Sequence, residues 1–380
     1  MKIPEKILNS VETPFYFYDT QLLDKTLETA IAEANKYGYN LHYALKANNN
    51  IDVLRRISKK GYGADCVSGN EIKLALESGF DAKKIAFAGV GKTDKEIIIG
   101  LENGIFSFNV ESIPELENIN ELAIKYGKIA NVALRINPNV NANTHHYITT
   151  GLEENKFGIN AWELPLVISK LNDLKGIKLK GIHFHIGSQI TDLNIFANLC
   201  TKVNQVQQSL FSNQIIVDSI NVGGGFGINY HDPDMEPIPD FKSFFSTFHR
   251  FLNLRPNQTL HFELGRSLVG QFGSLISKVI YIKEGAAKKF AIIDASMTDL
   301  IRPALYQSYH AIETVNTQSD SKDIYDIVGP VCESTDIFRK TIEMPTLKRG
   351  DIIAIRSTGA YGEVMSSNYN LRDKAAVVLS

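Results

Sequence analysis

Residues 42–50 read HYALKANNN. Lys46 closes a short aromatic and apolar run, His42 to Leu45, that reads as a strand, and three asparagines follow it. An amine at the carboxyl end of a strand sits where α/β proteins place their chemistry. Alone it allows three readings: a solvated strand end, a phosphate clamp or a Schiff-base nucleophile. The downstream residues choose among them. VGGGFG at 222–227 follows another predicted strand. Clustered glycines let backbone N–H groups approach an anion, and the spacing is neither a Walker loop nor a dinucleotide fingerprint. It reads as a seat for a single phosphate, with a flexible turn as the alternative, and Arg266 could supply charge. HFHIGSQ puts His183 and His185 two apart on one strand face. They read as a packed pair or as an imidazole for stacking, and with no third ligand at metal spacing no metal is expected. ELGR, Glu263 to Arg266, offers a carboxylate that either pairs with a protonated pyridine nitrogen or forms an ion pair with Arg266. Strand-end lysine, phosphate seat, stacking imidazole and ring-nitrogen carboxylate together describe a pyridoxal 5'-phosphate site.

These groups need a scaffold that brings strand ends to one place. Ile51 to Lys60 has helical spacing, basic residues in its last turn and a stop at Gly61. Capping boxes follow at Ser68/Glu71, Thr93/Glu96, Ser112/Glu115 and Asn160/Glu163, each after a strand such as GADCVS, KIAFAGV, FSFNVES or NVALRIN. KLKGIHFHIG, SINVGGG and LHFELGR complete about eight strand–helix units between Leu41 and Arg266. That run predicts a (β/α)8 barrel over 35–266, in the α/β class, rather than an open doubly wound sheet. Its strand ends carry Lys46, Asp65 and Ser68, Gly89, Asn109 and Glu111, Arg135 and Asn137, His183, His185 and Ser188, Gly223 to Gly225, then Glu263 and Arg266. The stretch 138–155 reads as an active-site loop, and His145 and His146 in it read as a solvated pair. After Arg266 the chain turns to short β-type runs with few helices, which predicts an all-β domain over 267–380. The aromatic strand TPFYFYD, within 1–34, has no helix partner of its own and is expected to join that domain.

Composition bounds the function. The 380 residues suffice for a barrel with an appendage, and a formal net charge of −2 gives no electrostatic reason to expect nucleic acid or an anionic membrane as partner. No apolar run reaches bilayer length and the start lacks a signal-peptide core. Cys66, Cys200 and Cys332 are odd in number and widely spaced, which points to free thiols in a reducing, cytoplasmic setting.

From TPFYFYD to MSSNYNLR the chain resembles the diaminopimelate decarboxylase family, in the alanine-racemase-like fold class of pyridoxal phosphate enzymes. The resemblance rests on YALKANNN, HFHIGSQ, NVGGGFG, ELGRS, DLIRPALY, GPVCESTD and GAYGEVMSSNYN. It implies that Lys46 binds pyridoxal 5'-phosphate covalently, that His185 stacks on its ring, that Glu263 pairs with its nitrogen and that Asp65 supports the site. Ser188, Gly224, Gly225, Arg266 and Tyr361 are implied around the phosphate. Arg266, Arg302, Tyr306 and Tyr361 are implied to meet the substrate, with the arginines on its distal carboxylate and Glu333 on its distal ammonium. Cys332 is the implied proton donor, arriving from the second subunit of a head-to-tail homodimer, so that each site needs both chains. The implied reaction is decarboxylation of meso-2,6-diaminopimelate to L-lysine. The same fold class also holds decarboxylases of ornithine, arginine and carboxynorspermidine; a racemase and a non-catalytic homologue are remoter readings. Leu264, Ser296, Thr298 and Glu363 depart from the family pattern, where proline, glycine, asparagine and a small or apolar residue are usual.

Overall fold

A computed structural model describes residues 3–140, 156–286, 288–317 and 319–380. His145, His146 and most of the 138–155 loop lie outside the described residues. By its internal contacts the chain divides into two compact units. One holds Leu27–Gly227 and Asp240–Gly265; the other holds Met1–Thr26, Ile228–Pro239 and Arg266–Ser380. The sequence reading put the changeovers at 34/35 and 266/267. The units change over at 26/27 and 265/266, each earlier than read, and the segment Ile228–Pro239 groups with the second unit.

The chain first forms β1 (Phe15–Tyr18), then eight strands: β2 (Asn40–Ala44), β3 (Gly63–Cys66), β4 (Ile85–Phe87), β5 (Ser107–Val110), β6 (Ala130–Arg135), β7 (Ile177–His183), β8 (Ser219–Asn221) and β9 (Thr259–Leu264). β2 to β9 pair in sequence order, all parallel, and β9 returns to β2 to close the barrel. The helices between strands start where capping chemistry demands. Ser68 Oγ accepts the Glu71 N–H, and Thr93 with Glu96 forms a full reciprocal box. At Ser68 the box is modified, because the Glu71 carboxylate reaches back to the N–H of Val67 instead. Gly104 ends the next helix at φ +57°, a conformation that a side chain would strain.

The barrel's last helix, Phe241–Phe251, buries Phe241, Phe244, Phe245 and Phe248 on one face. Phe244 stacks on Phe226 with ring centroids 4.4 Å apart, while Phe196 and Phe262 pack edge-on to it. Each such ring contributes about 2–3 kcal/mol by burial. Phe226 belongs to the glycine segment, so this aromatic cluster anchors the loop from the sequence VGGGFG.

The other unit is built on β10 (Gly273–Glu284), β11 (Lys289–Ile293), β12 (Ile312–Thr314), β13 (Lys322–Val328), β14 (Ile337–Pro345), β15 (Ile352–Ile355) and β16 (Ala376–Leu379). The sheet runs β12-β15-β10-β11-β13-β14, and β1 joins it antiparallel to β10 and parallel to β16. Phe15 and Phe17 pack there with Ile276, Ile352 and Ala354. The architecture is therefore a (β/α)8 barrel plus a mostly β unit that takes the N-terminal strand. β12 and β14 have no counterpart in the sequence reading: in IFRKTIEMP the pairs Ile337–Phe338 and Arg339–Lys340 break the alternation that marks a half-exposed strand, and no glycine flanks it.

Candidate active site

The sequence placed Lys46 at a strand end, but β2 stops at Ala44 and Lys46 lies in a single 3₁₀ turn, Leu45–Ala47. The turn carries the amine off the ladder. Lys46 Nζ donates to Asp65 Oδ2 at 2.8 Å, and its side chain is 37% exposed where that of Asp65 is 0%. The amine is thus reachable while its partner is not. The register explains the meeting: Ala44 pairs with Asp65 across β2 and β3.

Glu263 lies one strand to the other side, since β9 pairs with β2. It is buried and richly held. Its Oε2 faces His183 Nε2 at 2.9 Å, and its Oε1 accepts the amides of Asn109 at 2.9 Å and Asn221 at 2.7 Å. Burial alone would raise the carboxyl pKa; His183, with Lys46 beyond it, overcomes this and holds the group well below the usual range. Asp65 goes the other way. Its burial and the charge of Glu263 raise it against the pull of Lys46. Two carboxylates in one barrel end therefore have opposite tendencies, the pattern that separates acid from base roles.

The two histidines of HFHIGSQ do not share a strand face. β7 ends at His183, and His185 lies beyond it. His183 turns to Glu263, while His185 Nδ1 accepts the N–H of Gly224 at 3.3 Å. Burial and the positive charges of Arg135 and Lys46 push the His185 pKa far down, so it is a neutral ring. Ser188 follows in the same loop, half-buried. Gly223 and Gly225 have φ +68° and +100°. A Cβ on Gly224 would fall 2.0 Å from the carbonyl oxygen of Glu263, so close backbone packing demands glycine there whatever binds.

Among the described residues, two buried atoms at this end lack protein partners: Asp65 Oδ1 and His183 Nδ1. An unpaired buried polar atom is costly, so a ligand with polar groups is the natural complement. A reachable amine, a carboxylate held ionised, a neutral imidazole and these unpaired atoms fit a phosphorylated, protonated pyridine aldehyde. Sequence reasoning gave Asn109 and Asn221 no function. The available signal was an amide inside otherwise apolar strands, FNV and SIN.

In the other unit Arg302 opens the short helix Arg302–Tyr306, which places Tyr306 at its end. Arg266 lies over the Tyr361 ring, 4.8 Å from its centroid. Cys332 is exposed, and its backbone N–H donates to Asn370 Oδ1 at 3.3 Å. Glu333 accepts the Tyr369 hydroxyl at 2.8 Å. Cys66 and Cys200 are buried, with thiol pKa values pushed up by burial, that of Cys200 to about 12. The unusual residues all have local partners. Leu264 continues the β9 register to Tyr43, Ser296 donates twice to Asp299, Thr298 N–H donates to Ser296 Oγ, and Glu363 accepts the Tyr18 hydroxyl at 2.8 Å.

Comparison with known proteins agrees with this chemistry. The family described as pyridoxal-dependent decarboxylase, pyridoxal binding domain, matches residues 23–270. A diaminopimelate decarboxylase of Bacteroides thetaiotaomicron is 58% identical over 96% of this chain and 94% of its own. That of Neisseria meningitidis serogroup B is 41% identical over 98% and 89%. The crystal structure of diaminopimelate decarboxylase from Helicobacter pylori complexed with L-lysine superposes with a TM-score of 0.93 at 38% identity, covering 99% of this chain and 93% of that one. A lysine/ornithine decarboxylase from Vibrio vulnificus, at 20% identity and a TM-score of 0.86, shares the fold.

Proposed function

Because this chain belongs to the diaminopimelate decarboxylase family, we propose that it removes CO2 from meso-2,6-diaminopimelate to give L-lysine, with pyridoxal 5'-phosphate as cofactor. The observation that carries the choice of substrate is Arg302, a buried cation whose hydrogen-bond acceptors among the described residues are the Tyr230 hydroxyl and the His310 ring rather than a carboxylate. A substrate ending in a carboxylate suits such a cation. Ornithine, ending in an amine alone, has no use for it.

Lys46 Nζ is the group that holds the cofactor, and Asp65 Oδ2 keeps that amine in place. His185, a neutral ring, would stack on the cofactor ring without adding charge. Glu263, kept ionised, maintains a proton on the ring nitrogen. Ser188, Gly224, Gly225, Arg266 and Tyr361 take the phosphate. The cofactor supplies, when bound, an electron sink for the pair that CO2 leaves behind. Arg266, Arg302, Tyr306 and Tyr361 receive the substrate, Glu333 takes its distal ammonium, and Cys332 Sγ delivers a proton to the α-carbon. Cys332 and Glu333 serve the partner subunit of a cytoplasmic homodimer. The exposure of Cys332 supports that role, because an exposed thiol is available to a second chain.

A substrate panel tests the proposal. CO2 release is measured from meso-diaminopimelate, ornithine, arginine and carboxynorspermidine at equal concentration. Preference for meso-diaminopimelate by two or more orders of magnitude is expected, and equal or greater release from another substrate overturns it.

A further inference from the structure

Around Tyr230 the second unit gathers two arginines and a histidine, all buried: Tyr230 is 7% exposed, Arg266 6%, Arg302 5% and His310 1%. The Tyr230 hydroxyl oxygen accepts from Arg266 Nη1 and, at 2.9 Å, from Arg302 Nη1. Both guanidiniums also lie over the Tyr230 ring, 5.7 Å and 5.0 Å from its centroid. On the far side His310 Nε2 meets Arg302 Nη1 at 2.9 Å. His310 Nδ1 lies 2.8 Å from the carbonyl oxygen of Arg356, which can only accept. The proton is therefore on Nδ1, and Nε2 offers a lone pair to Arg302. Burial and Arg302 push the His310 pKa down to about 3, which keeps the ring neutral.

The neighbouring Arg356 shows the contrast. It is buried too, but Asp234 grips it with both oxygens at 2.7 and 3.2 Å and Glu313 adds a third contact at 2.9 Å. Arg356 is a neutralised structural cation. Arg302 is held by a phenol oxygen and an imidazole nitrogen, with no carboxylate bonded to it among the described residues. Two guanidiniums converging on one oxygen repel each other: burial lowers the Arg302 pKa, and Arg266 adds to that against the pull of Tyr230. The phenol oxygen offsets that repulsion, because both guanidiniums donate to it.

We propose that Tyr230 is a positioning residue for substrate recognition: its hydroxyl holds Arg266 and Arg302 side by side as one anion-binding pair for the substrate's distal carboxylate. This rests on the diaminopimelate reading above. The two arginines also act on Tyr230. Burial alone would raise the phenol pKa, yet Arg266 and Arg302 outweigh it and lower it.

The test compares wild-type holoenzyme with Tyr230→Phe by calorimetry, using pimelate, a seven-carbon dicarboxylate, and cadaverine, a five-carbon diamine. Loss of one oxygen serving two charged donors should weaken pimelate about tenfold or more, raise KM for meso-diaminopimelate in step, and change kcat much less. Cadaverine binding should move by less than about twofold on the same scale. Unchanged pimelate affinity, or equal losses for both probes, overturns the proposal. If the phenylalanine chain does not fold, Tyr230→Gln, which keeps a neutral oxygen acceptor, and Tyr230→Met, which keeps bulk without one, provide the same contrast. Pimelate binding needs no turnover. A wild-type chain that binds pimelate in this Tyr230-dependent way but releases no CO2 overturns the decarboxylase reading while supporting the role of Tyr230.

Discussion

Toward the N-terminal ends of the barrel strands, His42 and His261 hydrogen-bond to each other at 2.9 Å, His42 Nδ1 meets the Lys84 carbonyl at 3.0 Å, and His261 Nε2 meets Thr259 Oγ1 at 2.8 Å. Every ring nitrogen has a partner, and the carbonyl at one end sets the direction of the whole chain: each imidazole donates through Nδ1 and accepts through Nε2. At the opposite end, the histidine of β7 has one nitrogen on Glu263 and the other buried with no partner, as is one oxygen of Asp65. The same side chain, in the same barrel, is closed at one end and incomplete at the other. Hydrogen bonds that close on themselves rigidify a core, whereas buried groups left unpaired are tolerated where a ligand completes them. The contrast locates chemistry without reference to conservation.

Variants at the incomplete end should break function first. Lys46→Ala should lower CO2 release by more than about 10³-fold and abolish the visible absorbance of bound cofactor, with folding intact by circular dichroism. Retention of that absorbance would move the attachment point elsewhere. Asn109→Ala combined with Asn221→Ala comes next. These amides donate to a buried ionised carboxylate, and each such bond contributes about 1.5–3 kcal/mol. If half of that bears on the reaction, turnover should fall about 10- to 100-fold, and the acid limb of the pH–rate profile should move up as Glu263 becomes easier to protonate. A simple loss of stability would lower the melting temperature without moving that limb.

How far the site could be read before the fold was known follows the same division. The barrel was legible because each unit carries its own local signals: Ser68, Thr93 and Ser112 start helices, and Gly79, Gly104 and Gly127 stop them. The type of Lys46, and the strand-end place of Asp65 and Glu263, were legible for the same reason. What was hidden is three-dimensional. Asn109 and Asn221 are ordinary strand residues until closure of the barrel brings β5 and β8 to bear on the residue from β9. Tyr230 stands in a segment with no periodicity, and its relation to Arg302 spans 72 positions of sequence. β14 was hidden because the pairs Ile337–Phe338 and Arg339–Lys340 break its period-two alternation and it carries no turn signal of its own.

At the closed end the expected effect is on stability alone. Burial lowers the pKa of both His42 and His261, that of His261 far down. The unfolded chain therefore binds protons near pH 6.5 that the native chain refuses, and stability falls as pH drops below about 6.5. For His261 the loss keeps growing as the pH falls further below that point. Replacing both, His42→Phe with His261→Leu, should flatten that part of the stability–pH curve in urea titrations and leave kcat/KM unchanged at neutral pH. A drop in kcat/KM larger than the loss of folded protein would erase the distinction between the two ends.

A stability effect of opposite sign is expected at Glu71, on the helix that follows β3. Burial raises its pKa to about 7, against the N–H of Val67 and the charge of Lys46, which favour the carboxylate. Here the sign is opposite to that of the histidines. The native chain keeps a proton that the unfolded chain releases near its ordinary carboxyl pKa, so stability declines as pH rises toward 7 and stays lower above it. Glu71→Gln keeps an oxygen for the Val67 N–H and removes the charge. It should stabilise the protein at about pH 8, by at most about 3 kcal/mol and by less to the extent that solvent reaches the group, and should do little at about pH 4. Equal urea midpoints for the two proteins at both pH values would mean that the carboxylate is as well solvated in the fold as in the open chain. Glu71 would then belong to the helix cap alone and have no part in the electrostatics around Lys46.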